Sequence, residues 1–447
     1  MTLAPAQPKI IVLDDDPTGS QTVHSCLLLT RWDPETLRLG LEDAAPIFFI
    51  LTNTRALPPD QAQTITTEVC QTLKIALVET GISDFLVVSR SDSTLRGHYP
   101  IETDAIAAIL GPFDAHFLVP AFFEGGRFTQ DSIHYLIING VPTPVHETEF
   151  AQDSVFAYHH SYLPDYVAEK TQGRIPADQV ARFLEADIQQ GVQAQLQALH
   201  GNQCVVVDAV NQAQMNQFAQ DSLAVAATGK RFLFRSAASL LTGLAQLPPQ
   251  PIPAAEMGQL RRNNRPGAII VGSHVRKTTE QLMALLKEPG LVGIELDIAP
   301  LASNQAAAPT LLETTLTKIY EAFQAHLTPV IYTSRQELSF PDTATRLAFG
   351  LVVSQLLMDI VQALPTDISF LISKGGITSN DVLSKGLNLP TARLLGQILP
   401  GCSVIQTPAD HPKFPKLPVV LFPGNVGDQQ ALATIYQRFS TATPSLA

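Results

Sequence analysis

The feature that most constrains this chain is a recurrence of short, unbroken apolar runs separated by stretches of helical period. KIIVLD (Lys9 to Asp14), PIFFILT (Pro46 to Thr52), FLVVSR (Phe85 to Arg90) and AHFLVPA (Ala115 to Ala121) are four of them. CVVVDA (Cys204 to Ala209) and RFLFRS (Arg231 to Ser236) continue the series. None alternates apolar with polar, so each predicts a strand buried on both faces, as in a parallel sheet covered by helices. Helical patterns from about Asp60 to Thr80 and from about Glu102 to Leu110 supply such cover. A Pro-rich, aperiodic stretch, Leu247 to Gly267, interrupts both periods. A second set follows: GAIIVGS, VGIELD, PVIYTS, ISFLISKGG, CSVIQT and LPVVLFPGN. The expected fold is therefore α/β, with two domains of largely parallel sheet, residues 1–247 and 267–447, joined by a linker over 248–266. A cleft between two such domains is the expected place for a ligand.

A chain of 447 residues is long enough for two complete cores, and 45% hydrophobic against 16% charged residues excludes a disordered chain. A formal net charge of −12 argues against nucleic-acid or anionic-membrane partners, which need a basic footprint. Cys26, Cys70, Cys204 and Cys402 form no CxxC pair, so they read as buried small hydrophobes in a reducing compartment. The N-terminus has no apolar signal-like region and no run is long enough to span a membrane; a cytoplasmic location is expected.

In open α/β sheets ligands gather at the carboxyl ends of strands. The residues after each strand of the first half are unusually polar. KIIVL leads into Asp14, Asp15 and Asp16; PIFFILT into Arg55; FLVVS into Arg90, Asp92, Ser93, Thr94, Arg96 and His98; AHFLVPA into Glu124 and Arg127. Arginine recognises carboxylates and phosphates bidentately, which points to an anionic small substrate. The second half has glycine and hydroxyl turns instead: Ser273 after GAIIVG, SKGGITSNDV from Ser373, and PGNVGD from Pro423. Such turns present free N–H groups to an anion and resemble a nucleotide phosphate cradle. Neither GxxxxGK[ST] nor GxGxxG is present, and no GxSxG, HExxH or HxH occurs.

Five motifs in order, DDDPTGSQ, DSTLRGHYP, PAFFEGGR, GGITSNDV and FPGNVGD, give the chain a resemblance to the four-carbon acid sugar kinases, over nearly its whole length. The resemblance implies an ATP-dependent kinase, with Mg²⁺, acting on a hydroxyl of a tetronate-like sugar acid such as threonate, erythronate or 3-oxo-tetronate. It implies a sugar-acid-binding N-terminal domain and a nucleotide-binding C-terminal one, and enzymes so built are often dimers. Carried over by position, it places Asp14, Asp15, Asp16, Arg55, Asp92, Ser93, Arg96 and Arg127 at the substrate, with Asp15 and Arg96 at the chemistry. Ser273, Lys374, Gly375, Gly376, Thr378, Gly424, Asn425 and Gly427 fall to the nucleotide. Two departures mark an outlying branch: Asp16-Pro17 in the first motif, and Phe422-Pro423 where the family has lysine and serine. Lys374 is the substitute cation that the sequence offers.

On this reading Arg55, Arg96 and Arg127 clamp the substrate carboxylate, Asp15 orients the attacking hydroxyl, and Mg²⁺ bridges the ATP phosphates with few protein ligands. Two alternatives compete. LDDDPT also fits the first motif of haloacid-dehalogenase-type phosphatases, with Asp14 as nucleophile and Asp16 as general acid. The missing lysine before Gly424 also suits a catalytically silent sensor of sugar acid or nucleotide.

Overall fold

The computed structural model describes residues 7–442 apart from 336, 337, 341 and 425. It divides into two compact units, Met1–Pro249 and Gln250–Ala447. The strands of the first unit are β1 (Lys9–Asp14), β2 (Cys26–Leu29), β3 (Ile47–Leu51), β4 (Phe85–Arg90), β5 (Ala115–Val119), β6 (Arg127–Gln130), β7 (Ile133–Ile138), β8 (Val141–Pro144), β9 (Ala181–Phe183), β10 (Gln203–Val207) and β11 (Phe232–Ser236).

All but β6 to β8 form a wholly parallel sheet in the order β2-β3-β1-β4-β11-β5-β10-β9. Ile10, Ile11 and Val12 are inaccessible to solvent, as the unbroken apolar run predicts. The helices Pro59–Thr80 and Ile101–Leu110 lie within a residue of their sequence-predicted limits. The register places the site. Asp14 stands level with Leu51 and Arg90, and Ser236 stands level with Arg90 and Val119. The carboxyl ends of β3, β1, β4, β11 and β5 therefore finish in one row.

Strands β6, β7 and β8 make a separate antiparallel sheet that the sequence reading missed. Its two turns, Asp131-Ser132 and Asn139-Gly140, have both residues at positive φ. That is the tight hairpin turn whose twist matches its strands, and the Asn-Gly pair was its signal.

The second unit contains β12 (Ala268–Val271), β13 (Leu291–Leu296), β14 (Thr328–Thr333), β15 (Leu371–Lys374), β16 (Thr391–Leu399), β17 (Cys402–Gln406) and β18 (Pro418–Phe422). Their order is β13-β14-β12-β15-β18-β17-β16, parallel from β13 to β18 and antiparallel for the last two pairings. The stretch read as a linker is not free chain. It carries a 3₁₀ segment, Ala254–Leu260, whose Met257 is buried in the core of this unit with Phe370, Ile398 and Phe439. All four cysteines are buried thiols outside any disulfide. No helix among the described residues is long and apolar enough to cross a membrane.

Candidate active site

In the first unit the row of strand ends carries a chain of alternating charges. Arg55 sits in a 3₁₀ turn after β3, and its backbone N–H donates to the Asp15 carbonyl at 3.3 Å. Its guanidinium pairs with both oxygens of Asp15, with Asp16 at 3.3 Å and with Asp92 at 3.9 Å. Asp92 accepts from Arg96 Nε at 2.8 Å, and Arg96 continues to Asp153 at 3.7 Å and lies over the Phe150 ring. Five of the sequence-predicted residues, Asp15, Asp16, Arg55, Asp92 and Arg96, are thus brought together.

Burial alone would lower the Arg55 pKa, but Asp15, Asp16 and Asp92 raise it well above the ordinary value. Burial likewise pushes the Asp92 and Asp16 carboxyls up; Arg96 and Arg55 reverse this at Asp92, and Arg55 and Arg90 reverse it at Asp16, so both lie below the usual range. Asp16, Arg55, Asp92 and Arg96 are therefore charged at neutral pH. Asp16 is 22% exposed against 1% for Asp15, so Asp16 is the more open of the two.

Asp14 is elsewhere. Its side chain is wholly buried, with Arg90 at 3.4 Å, and it fills the space beside Gly19, where an added methyl would overlap the carboxylate. Burial raises its pKa to about 8. So deep a burial counts against Asp14 as a nucleophile towards a phosphate ester and against a place for it at the substrate. Ser93 is 8% exposed, and its carbonyl accepts from His134 Nε2 at 2.8 Å.

Arg127 begins β6. It donates to the Gly125 carbonyl at 2.5 Å and lies over the Phe122 ring, while its buried Nε has no partner. It makes no ion pair among the described residues, and burial lowers its pKa, so it is a cation short of an anion.

Beneath Asp15 lies a network that sequence reasoning missed. Ser91 Oγ donates to Asp15 Oδ2 at 2.6 Å, and Arg235 donates to Ser91 Oγ at 2.7 Å and to Ser89 Oγ at 2.8 Å. Glu102 accepts from Arg235 at 2.5 Å and from Thr54 Oγ1 at 2.5 Å. The only signal was an arginine inside the apolar run RFLFRS.

In the second unit three turns converge on Ser273. A methyl added at Gly375 would lie 3.1 Å from Ser273 Cβ, and one at Gly424 would lie 3.3 Å from Ser273 Oγ. Thr278, at the start of the helix Arg276–Leu285, donates to Ser273 Oγ at 3.1 Å and to the Gly424 carbonyl at 3.2 Å. Gly375 has a φ of 124°, and a methyl on it would lie 3.0 Å from Thr378 Oγ1. Gly376 opens the helix that follows. Gly427 lies apart from these, against Ala431 and Gln281, and Asn425 falls outside the described residues.

Lys374 does not serve as the expected exposed cation. It is fully buried at the end of β15, where Nζ donates to the carbonyls of Pro423 at 2.5 Å and Gly424 at 3.2 Å and lies over the Phe422 ring. It braces the turn from inside, and burial lowers its pKa to about 7. Arg335, one residue beyond PVIYTS and unremarked in the sequence, stands at the turn instead. It donates to the Ser273 carbonyl at 2.8 Å and to Thr333 Oγ1 at 3.1 Å, half-exposed. No cluster of three or more His, Cys, Asp or Glu side chains among the described residues is arranged to hold a metal ion.

Comparison with known proteins agrees with this division. A family described as a sugar-binding N-terminal domain matches residues 10–244, and one described as a nucleotide-binding C-terminal domain matches residues 268–432. A D-erythronate kinase of Heliobacterium modesticaldum is 26% identical over 218 residues, 47% of this chain and 47% of that protein. The chain thus spans about half the length of the curated relative it matches. Among solved structures, a putative tRNA synthase of Salmonella typhimurium LT2 superposes with a TM-score of 0.70 at 18% identity, over 97% of this chain and 98% of that one. A Haemophilus influenzae protein superposes with a TM-score of 0.62 at 18% identity, over 96% and 100%. At such identity the two structures speak to the fold alone. With both of its domains matched in order, the chain belongs to the four-carbon acid sugar kinase family.

Proposed function

We propose that this protein is an ATP-dependent kinase that phosphorylates a hydroxyl of a small, tetronate-like sugar acid. The observation that carries the reading is the Asp15–Arg55–Asp92–Arg96 chain at the carboxyl ends of parallel strands, in the unit matched as sugar-binding. Arg127, whose buried Nε has no partner and which makes no ion pair among the described residues, takes the substrate carboxylate together with Arg55 and Arg96. Asp15 orients the attacking hydroxyl and accepts its proton late in the transfer. To do so it releases the N–H that Arg55 gives to Oδ1, which Arg55 then offers to the incoming carboxylate.

In the second unit the hydroxyls and the small-residue turns around Ser273, Gly375, Thr378 and Gly424 receive the nucleotide phosphates, and Arg335 supplies the positive charge there. Mg²⁺ bound to the nucleotide, with few protein ligands, would supply charge neutralisation at the phosphates. A cytoplasmic location, where ATP is plentiful, fits this chemistry.

The test is an ATP-coupled screen against four- and five-carbon sugar acids. ADP formation that depends on one or a few acids is the expected result. Binding of both ligands by calorimetry without turnover would instead make the protein a sensor. Phosphate-ester hydrolysis without ATP would return the phosphatase reading.

A further inference from the structure

Beyond the residues that meet the substrate, the structure carries a chain that holds one of them. We propose that Ser91, Arg235 and Glu102 form a positioning device that fixes Asp15 through Oδ2 and leaves Oδ1 as the oxygen that meets the substrate hydroxyl. The two oxygens are not equivalent. Oδ2 accepts from Ser91 Oγ at 2.6 Å and from Arg55 Nε at 3.2 Å. Oδ1 accepts from Arg55 Nη2, the arm that the substrate draws away.

The support behind Oδ2 is closed and dry. Arg235, on β11, spends Nη2 on Ser91 at 2.7 Å and Nη1 on Ser89 and Glu102. Glu102, in the first turn of the helix Ile101–Leu110, returns to Thr54 at 2.5 Å, the neighbour of Arg55. Asp15, Ser91, Arg235, Glu102 and Thr54 are each no more than 4% exposed. The single Ser91 proton is shared between Asp15 Oδ2 and the more distant Arg96 carbonyl at 3.1 Å, so the same hydroxyl lies between the loop bearing Arg96 and Asp15.

Gly97 makes the arrangement possible. Its φ of 122° suits glycine, and a methyl there would overlap Ser91 Oγ and lie 2.7 Å from Arg235 Nη2 and 3.1 Å from Asp15 Oδ2. A buried ion pair such as Arg235–Glu102 is a weak source of stability, because desolvation offsets most of its attraction. What it supplies is a fixed geometry, and supporting hydrogen bonds of this kind keep a reacting group in its productive orientation.

This inference rests on the kinase reading, and its test separates the two. Ser91→Ala removes one hydroxyl from a packed site. The expected result is a fall in kcat of roughly 10²-fold, the cost of an ångström-scale misplacement. The KM for nucleotide and the unfolding midpoint should stay where they were. In the crystal structure of the variant, the Asp15 carboxylate should turn away from its native orientation. Arg235→Met combined with Glu102→Gln removes the ion pair without stranding a buried charge, and covers the case in which a water replaces the Ser91 hydroxyl. It should lower kcat in the same way.

An unchanged kcat in both variants overturns the inference, as does a loss of kcat matched by a lowered unfolding midpoint. If the native protein phosphorylates no sugar acid, the kinase reading falls. The orientation of Asp15 in the Ser91→Ala crystal then still decides whether the chain positions it, and an unmoved carboxylate overturns the device.

Discussion

The two units present their strand ends to anions in opposite ways. In the first, full charges are packed together and neutralise one another: Arg55 faces three carboxylates, and Asp92 faces two arginines. In the second, the turns at Ser273, Gly375 and Gly424 carry small residues and hydroxyls, the Gly375 N–H is spent on the Phe422 carbonyl at 2.8 Å, and the one lysine among the expected residues is turned inward. A prepaired cluster binds an anion by exchanging partners, so geometry decides which anion wins, and that favours discrimination between similar sugar acids. A turn of small residues and hydroxyls exchanges no ion pair. It suits a phosphate chain whose shape is always the same.

The sharpest way to break this comparison is to remove from the charged unit the carboxylate proposed to react. Asp15→Asn keeps the shape of the side chain and should lower kcat by roughly 10²–10⁴-fold, the usual worth of a positioned acid or base. Asp16→Asn, at the more exposed neighbour, should cost far less. Steady-state assays of both variants decide between them: full turnover in Asp15→Asn with collapse in Asp16→Asn would move the role to Asp16.

A smaller effect should divide cleanly between the units. Arg127→Met should raise the KM for the sugar acid by roughly 10–100-fold, the loss of one or two charge-assisted hydrogen bonds, and leave the KM for ATP alone. Arg335→Ala should do the reverse, raising the KM for ATP by roughly 10-fold. If each variant moves both constants equally, the division of labour between the two sets of strand ends is wrong.

Much of this was legible because apolar runs declare parallel strands, and parallel strands declare where ligands go. Asp15, Arg55, Asp92 and Arg96 could be named because each follows such a run by only a few residues. The depth of a side chain could not. Asp14 and Asp15 are neighbours in an acidic triplet, and only the close approach of Gly19 to Asp14 shows that it is sealed in. Lys374 stands in register with Phe422 across β15 and β18, which turns its amine onto the Pro423 and Gly424 carbonyls instead of outward. Arg235 and Glu102 lie 133 positions apart, and no local pattern links them. Arg335 was passed over because the strand reading stopped at Ser334. The strand β16, with its alternating burial, is a two-faced antiparallel pattern, unlike the continuous runs that the rest of the chain displays.

The finest contrast between the units is in their response to pH, and its sign differs. Burial lifts the Asp14 pKa from 3.8 to about 8. Between those values the native state keeps a proton that the unfolded chain gives up, so this group makes the protein less stable as pH rises through that window. Lys374 works the other way. Burial brings its pKa from 10.5 down to about 7, so between those values the unfolded chain holds a proton that the native state lacks. Stability from this group therefore rises with pH in the upper window and is poorest below about pH 7. Thermal unfolding of Asp14→Asn and Lys374→Met beside the native protein reads both slopes. The midpoint of Asp14→Asn should gain on the native protein as pH climbs towards 8, because asparagine has no proton to lose. That of Lys374→Met should compare best at the acid end and lose ground as pH climbs from 7 towards 10.5, since methionine never has a charge to bury. Any constant offset reports lost hydrogen bonds to the Pro423 turn or lost pairing with Arg90; only the slopes report the protons. Differences that stay flat across both windows would mean that Asp14 is ionised and Lys374 charged in the folded protein. Both turns would then have to be read as ion-binding from within.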